Sequence, residues 1–227
     1  MIPPLIVQEA LSQKINLIAI TDHNATANIE SVQKAAAGSD LIVLPGMEVQ
    51  TREEVHCLCL FDTLEQAFAW QKIVDATLPD LENNTEFFGE QFIVDETGDF
   101  IRREDRLLLN SISLTFEETA QKVTELGGLF IPAHINRKAF GLIANLGLIP
   151  ENVNIIALEI SRHITTPDAY AVYPQVKKYP LIQNGDVHYI DEFLGSTHYQ
   201  IENPSVNEIT SAFLHANGRS FVILPGN

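Results

Sequence analysis

The chain has 227 residues, 45% hydrophobic and 19% charged, the composition of a globular protein rather than a disordered one. Its 14 basic and 30 acidic residues give a formal net charge of −16. Such a field repels the phosphate backbone, so no long nucleic acid partner is expected, and no stretch is apolar over the length of a bilayer span, so no membrane partner is expected.

Met1-Ile2-Pro3-Pro4 has no basic region leading into an apolar stretch, so no secretory signal is expected. Residues 4–14 carry apolar side chains at helical spacing. A strand at 17–20 runs into Thr21-Asp22-His23-Asn24, and Asn24 is placed to cap a helix over 27–37 that Gly38 closes. A strand at 41–44 runs into Pro45-Gly46-Met47-Glu48. In the next strand, 55–61, His56, Leu58 and Leu60 face one way and Cys57 and Cys59 the other. Two cysteines two positions apart on one strand make a poor disulfide and read as buried thiols, consistent with a cytoplasmic location. A helix over 64–77 carries the only tryptophan, Trp70, as a core anchor.

The stretch from 79 to about 112 is polar and reads as an excursion holding a β-hairpin, with strands at 91–94 and 100–102 around Gly98. Ser113 or Thr115 caps a helix ending at Gly127-Gly128. A strand at 129–132 then runs into Ala133-His134, a helix covers 139–146, and strands follow at 155–160 and 181–183. The last of these runs into Asn184-Gly185-Asp186-Val187-His188. A helix over 206–217 and a strand at 221–224 close the chain. Alternating strands and helices indicate an α/β fold with mostly parallel pairing, read as one domain over 1–227.

In barrels of parallel strands the reactive groups gather at the strand C-terminal ends. Such a fold brings His23, Glu48, His134, Asp186 and His188 to one rim, and imidazoles with carboxylates in a cleft suit a divalent metal. His56 joins them if its side of the strand faces the interior, where a buried imidazole needs a partner. Asp186 and His188, two apart on an extended stretch, project to the same side. Asp22 beside His23 can orient a ligand. Arg137, three residues after His134, can hold phosphate oxygens or stand solvated on the surface. Asp22 and Arg137 are the candidate catalytic residues. His163, His198 and His215 read as structural or loop histidines.

Together these pieces resemble the polymerase and histidinol phosphatase (PHP) family of metal-dependent phosphoesterases. The matching motifs are IAITDHN, the Glu of LPGMEVQT, the His of EEVHCLCLF, the His of IPAHINR and the pair in NGDVH, in the family's order from Ile18 to His188. The resemblance implies a distorted (β/α)7 barrel holding up to three divalent ions, of zinc, manganese or iron. By position, His23 and His188 would serve one ion and Glu48 and Asp186 another, with Glu48 bridging to an ion held by His56 and His134. The implied activity is hydrolysis of phosphoesters on a small phosphorylated substrate, a phosphomonoester or a nucleotide-like molecule.

The family's first strand carries a His-x-His motif, and no histidine precedes His23. The resemblance therefore also implies a missing first strand, fewer ions than in relatives and impaired activity. The exposed edge would favour a homo-oligomer. The alternative is an inactive, metal-stabilised scaffold or ligand-binding barrel. A second enzymatic rival, C–N hydrolysis in an amidohydrolase-like barrel, also usually begins with His-x-His.

Overall fold

The computed structural model describes residues 1–224. In chain order the elements are α1 (Pro3–Ser12), β1 (Leu17–Ile20), α2 (Ile29–Ala35), β2 (Ile42–Gln50), β3 (His56–Leu60), α3 (Leu64–Thr77), α4 (Thr85–Phe88), β4 (Phe92–Val94), β5 (Phe100–Arg103), α5 (Phe116–Glu125), β6 (Leu129–Pro132), α6 (Leu142–Leu146), β7 (Leu158–Ile160), α7 (Thr166–Val172), β8 (Leu181–Gln183), β9 (Thr197–Gln200), α8 (Val206–Phe213) and β10 (Ser220–Ile223). Among the described residues, no helix is long and apolar enough to cross a membrane.

The fold is mixed α/β. Four strands form a sheet in the order β1-β2-β3-β6, β7 pairs with β8, and two antiparallel ribbons, β4-β5 and β9-β10, stand apart. Pairing is not mostly parallel. Among the described residues only β1-β2 and β7-β8 are parallel, while β2-β3 and β3-β6 are antiparallel. The cause is the link between β2 and β3. Residues 51–55 turn back through Glu54 at φ 60° and are too few for the crossover that a parallel neighbour needs. Among the described residues no sheet closes on itself.

Local chemistry explains the best-defined helices. Thr63 accepts from the Gln66 amide and Thr115 from the Glu118 amide, each in a reciprocal capping box that satisfies donors the first turn leaves free. The expected cap at Asn24 does not form. Asn28 occupies the position before α2, and Asn24 is buried, donating to the carbonyls of Leu108 and Asn110. Its amide is spent on a loop far along the chain instead of on a helix start.

Two apolar layers sandwich the sheet. Met47, Cys57, Cys59, Phe61 and the fully buried Trp70 pack on the helix side. Leu44, Leu60, Ile131 and Ile182 pack on the other. Gly46 is what lets β2 lie close to β1. A Cβ there would meet the Thr21 methyl at 2.8 Å and the Ile20 carbonyl at 3.1 Å. Gly46→Ala is therefore expected to cost about 1–3 kcal/mol by overpacking, read as a lower urea midpoint. A wild-type midpoint would mean that the β1–β2 contact has slack.

Candidate metal centre

Glu48 lies inside β2, 5% exposed, and is the hub of the site. Its Oε1 stands 3.1 Å from His56 Nδ1 and 3.2 Å from His134 Nε2, and its Oε2 stands 3.6 Å from His23 Nδ1. The arrangement follows from the topology. β1 and β2 run parallel, and the stretch after β1 is bridged backbone-to-backbone to β2 at His23 and Glu48. His134 follows β6. His56 reaches the same end from the first position of β3, because β3 runs antiparallel to both of its neighbours.

His56 is further fixed by its neighbours. Its Nε2 is 3.2 Å from Gln50 Oε1, its ring stacks on Phe140 at 4.5 Å, and its amide donates to the Phe140 carbonyl. His134 is 1% exposed, and its φ of 29° lies in the left-handed region that is costly for residues other than glycine.

Asp186 and His188 border the same cavity as His23 and Glu48, but they are not carried on an extended stretch. β8 ends at Gln183 and Asp186 has φ 49°, so the backbone bends where alternation was expected. The Asp186 carboxylate forms an ion pair with Arg137 at 2.7 Å and stands 3.6 Å from His188 Nδ1. The His188 side chain is 54% exposed, its ring 6.0 Å from that of His23. Asp22 is exposed and accepts from Asn28 Nδ2 at 3.2 Å. His163 lies in a loop after β7, and His198 and His215 are exposed, with His198 bordering the same cavity in β9.

Three neighbours of the site carry signals that sequence reasoning passed over. Glu159, in β7, is a carboxylate inside the apolar run 155–160, which by itself demands buried partners. Arg162 donates to the Gly185 carbonyl, one residue before Asp186. Gln50 alternates with Glu48 along β2.

Burial works against the charge on Glu48, but hydrogen bonds from His134 and His56 and the proximity of His23 outweigh it and hold the carboxyl well below its usual range. Burial lowers the pKa of His23 against the pull of Glu48. Burial also opposes protonation of His134, yet the Glu48 hydrogen bond and charge raise its pKa. Burial pushes the Glu159 carboxyl up to about 7.

The donor set fits a divalent cation. One donor atom each from His23, Glu48 and His56 lies within 4.8 Å of the others. His134 Nε2 faces the same carboxylate, 3.2 Å from Glu48 Oε1. Imidazole and carboxylate together suit zinc, manganese and iron alike.

No protein-family model matches the chain, and no curated protein matches it in sequence. Solved structures do. Endonuclease Q from Pyrococcus furiosus, a lesion-specific endonuclease, superposes with a TM-score of 0.70 at 20% identity over 97% of this chain. The chain spans 53% of that protein's length. A protein from Bifidobacterium adolescentis described as a metal-dependent phosphoesterase gives 0.56 at 15% identity, over 83% of this chain and 82% of that one. An amidohydrolase from Chromobacterium violaceum gives 0.57 at 16% identity, over 100% and 94%.

One of these likenesses corrects the reading of charge. Endonuclease Q has also been solved with a 27-mer duplex whose abasic lesion lies at the active site, in a structure that superposes here with a TM-score of 0.69. That protein, with the same fold, takes a long nucleic acid, against the expectation of none drawn from net charge. Net charge is a sum over the whole chain, whereas bound cations and local arginines set the potential where a phosphate sits.

The ionisation of the cluster has a measurable consequence. The depressed Glu48 contributes stability above its unfolded value of 4.5, lost as pH falls through the folded value. The raised His134 contributes below its unfolded value of 6.5, lost as pH rises through the folded value. In chelator, the thermal midpoint of the wild type should exceed that of Glu48→Gln most between those two values, and a gap still widening toward alkaline pH would contradict the pairing. The motifs that resemble the polymerase and histidinol phosphatase family thus sit on a fold that this chain shares with these proteins.

Proposed function

We propose that this chain carries a metal-dependent phosphoesterase site that hydrolyses phosphodiester linkages in nucleic acid. The observation that carries the reading is the buried Glu48 carboxylate faced by three imidazoles, with Asp186, itself paired to Arg137, on the same cavity. His56, His134 and Glu48 would hold one ion, and His23, Asp186 and His188 would contribute to others. Bound there, divalent ions supply a water nucleophile at neutral pH and neutralise charge on the phosphoryl oxygens.

The chain's own residues do the rest. Glu48 holds the imidazoles in one orientation. Asp22 lies at the cavity and, through Asn28, is tied to the hairpin of β4 and β5. Arg137, with 43% of its side chain exposed, is close enough to exchange Asp186 for a phosphate and to stabilise the charge that develops as the ester breaks. The endonuclease with its duplex supports nucleic acid as the substrate class.

The barrel is completed, in this reading, by one further strand beside β1. β1 ends the four-stranded sheet, and its Leu17, Ile18 and Ala19 are only half-buried although apolar. Between β1 and β8 lies a cavity of about 1070 Å³. An extended segment there would meet the free backbone edge of β1, which an apolar small molecule cannot do. Without it, the ions near His23 and Asp186 would be held by fewer ligands than the one at His56 and His134.

The zinc- or manganese-loaded chain is expected to cleave DNA duplexes, with or without an abasic lesion, or the diester bis(p-nitrophenyl) phosphate, and to lose this in chelator. Arg137→Ala should lower kcat by about 10²–10³-fold, the loss typical of one transition-state donor. Hydrolysis of cyclic amides with no phosphodiester cleaved would overturn the reading in favour of C–N chemistry.

A further inference from the structure

β7 is short and apolar except at its centre, where Glu159 lies 3% exposed. Each oxygen of this carboxylate has its own partner. Oε2 accepts from the backbone N–H of His134 at 3.0 Å. Oε1 accepts from Asn184 Nδ2 at 2.7 Å. The Glu159 backbone carbonyl also accepts from the Ile135 N–H at 2.9 Å. One buried side chain thus touches His134, two residues past the end of β6, and the residue that begins the bend to Asp186 and His188.

Both attachments sit where the backbone is under constraint. His134 and Asp186 have positive φ, at 29° and 49°, and a residue other than glycine holds such a conformation only where its surroundings fix it. The His134 amide is fixed by Glu159. Asn184, two residues before Asp186, is held by the same carboxylate. Burial of the Tyr199 hydroxyl, and after it the charge of Glu159, push that phenol away from ionisation. Among the described residues, no candidate metal ligand makes both contacts.

We propose that Glu159 is a positioning residue that locks His134 and the Asp186–His188 segment into a single site, so that the two groups of metal ligands are formed together. It does not touch the reacting atoms; it acts through His134 and Asn184. The proposal rests on the reading of the Glu48 cluster as a metal site. It adds that the site's two halves are coupled, and through which side chain. Outer partners of metal ligands typically change affinity by about 10–100-fold when removed.

The test is zinc affinity of the full chain, measured by competition with a chromogenic chelator, with the thermal midpoint of the chelated protein read in parallel. Glu159→Leu fills the volume but leaves the His134 N–H and the Asn184 amide without their acceptor, so its midpoint is expected to fall. A merely structural role predicts that lower midpoint with wild-type zinc affinity at a temperature where the variant is folded. The coupling role predicts, in the same folded variant, affinity weaker by about 10–100-fold. Glu159→Gln keeps an acceptor for the His134 amide and should recover most of the loss. Asn184→Ala should weaken zinc as well, and combined with Glu159→Leu it should add little, since both cut one bridge. If Glu159→Leu does not fold, Asn184→Ala alone decides, and wild-type affinity in it overturns the proposal. Wild-type affinity in Glu159→Leu overturns it too. A wild-type chain that takes up no zinc would instead overturn the metal reading itself.

Discussion

A carboxylate kept almost wholly from water must be neutralised, hydrogen-bonded or bound to a cation. Glu48 is such a group, and much of the molecule can be read as the means of satisfying it. β2 carries it inward, the β1–β2 contact at Gly46 brings Thr21 to His23 against it, and the reversal of β3 turns His56 toward it. β6 then delivers His134 from the far side of β3. Three imidazoles around one carboxylate balance its charge only when protonated, whereas metal binding needs them neutral. Protons and cations therefore compete for the same pocket.

The rest of the site is less tightly built. Asp186 and His188 follow a bend rather than a strand, with Asp186 paired to Arg137 and His188 half in solvent. The same side of the molecule holds the large cavity between β1 and β8. The well-packed half around Glu48 and the open half around Asp186 thus differ in how much of their structure is already fixed, and Glu159 spans the two.

Much of this was legible from residue order. α3 and α5 fall close to their expected bounds, and of the two caps offered for α5 it is Thr115 that serves. β1, β6 and β8 stood out as short apolar runs closed by ligand-type residues. Direction was not legible: nothing local to residues 51–55 says whether β3 returns beside β2 or crosses over, so the parallel barrel expected from alternation gave way to antiparallel pairing. Asn24 misled because a capping residue and a buried amide that braces a distant loop look alike in sequence. α7 went unseen because it has a Thr165 cap but few apolar positions to set a period. The bend at Asp186 was missed because its left-handed backbone is a property of its surroundings rather than of the residue type.

If Glu48, His56 and His134 grip a divalent cation, crystals of the zinc-loaded chain, with diffraction collected on both sides of the zinc absorption edge, should give a strong anomalous peak bounded by those three side chains, lost in Glu48→Gln. A map with no peak there, or with zinc only at surface residues far from Glu48, would contradict that binding.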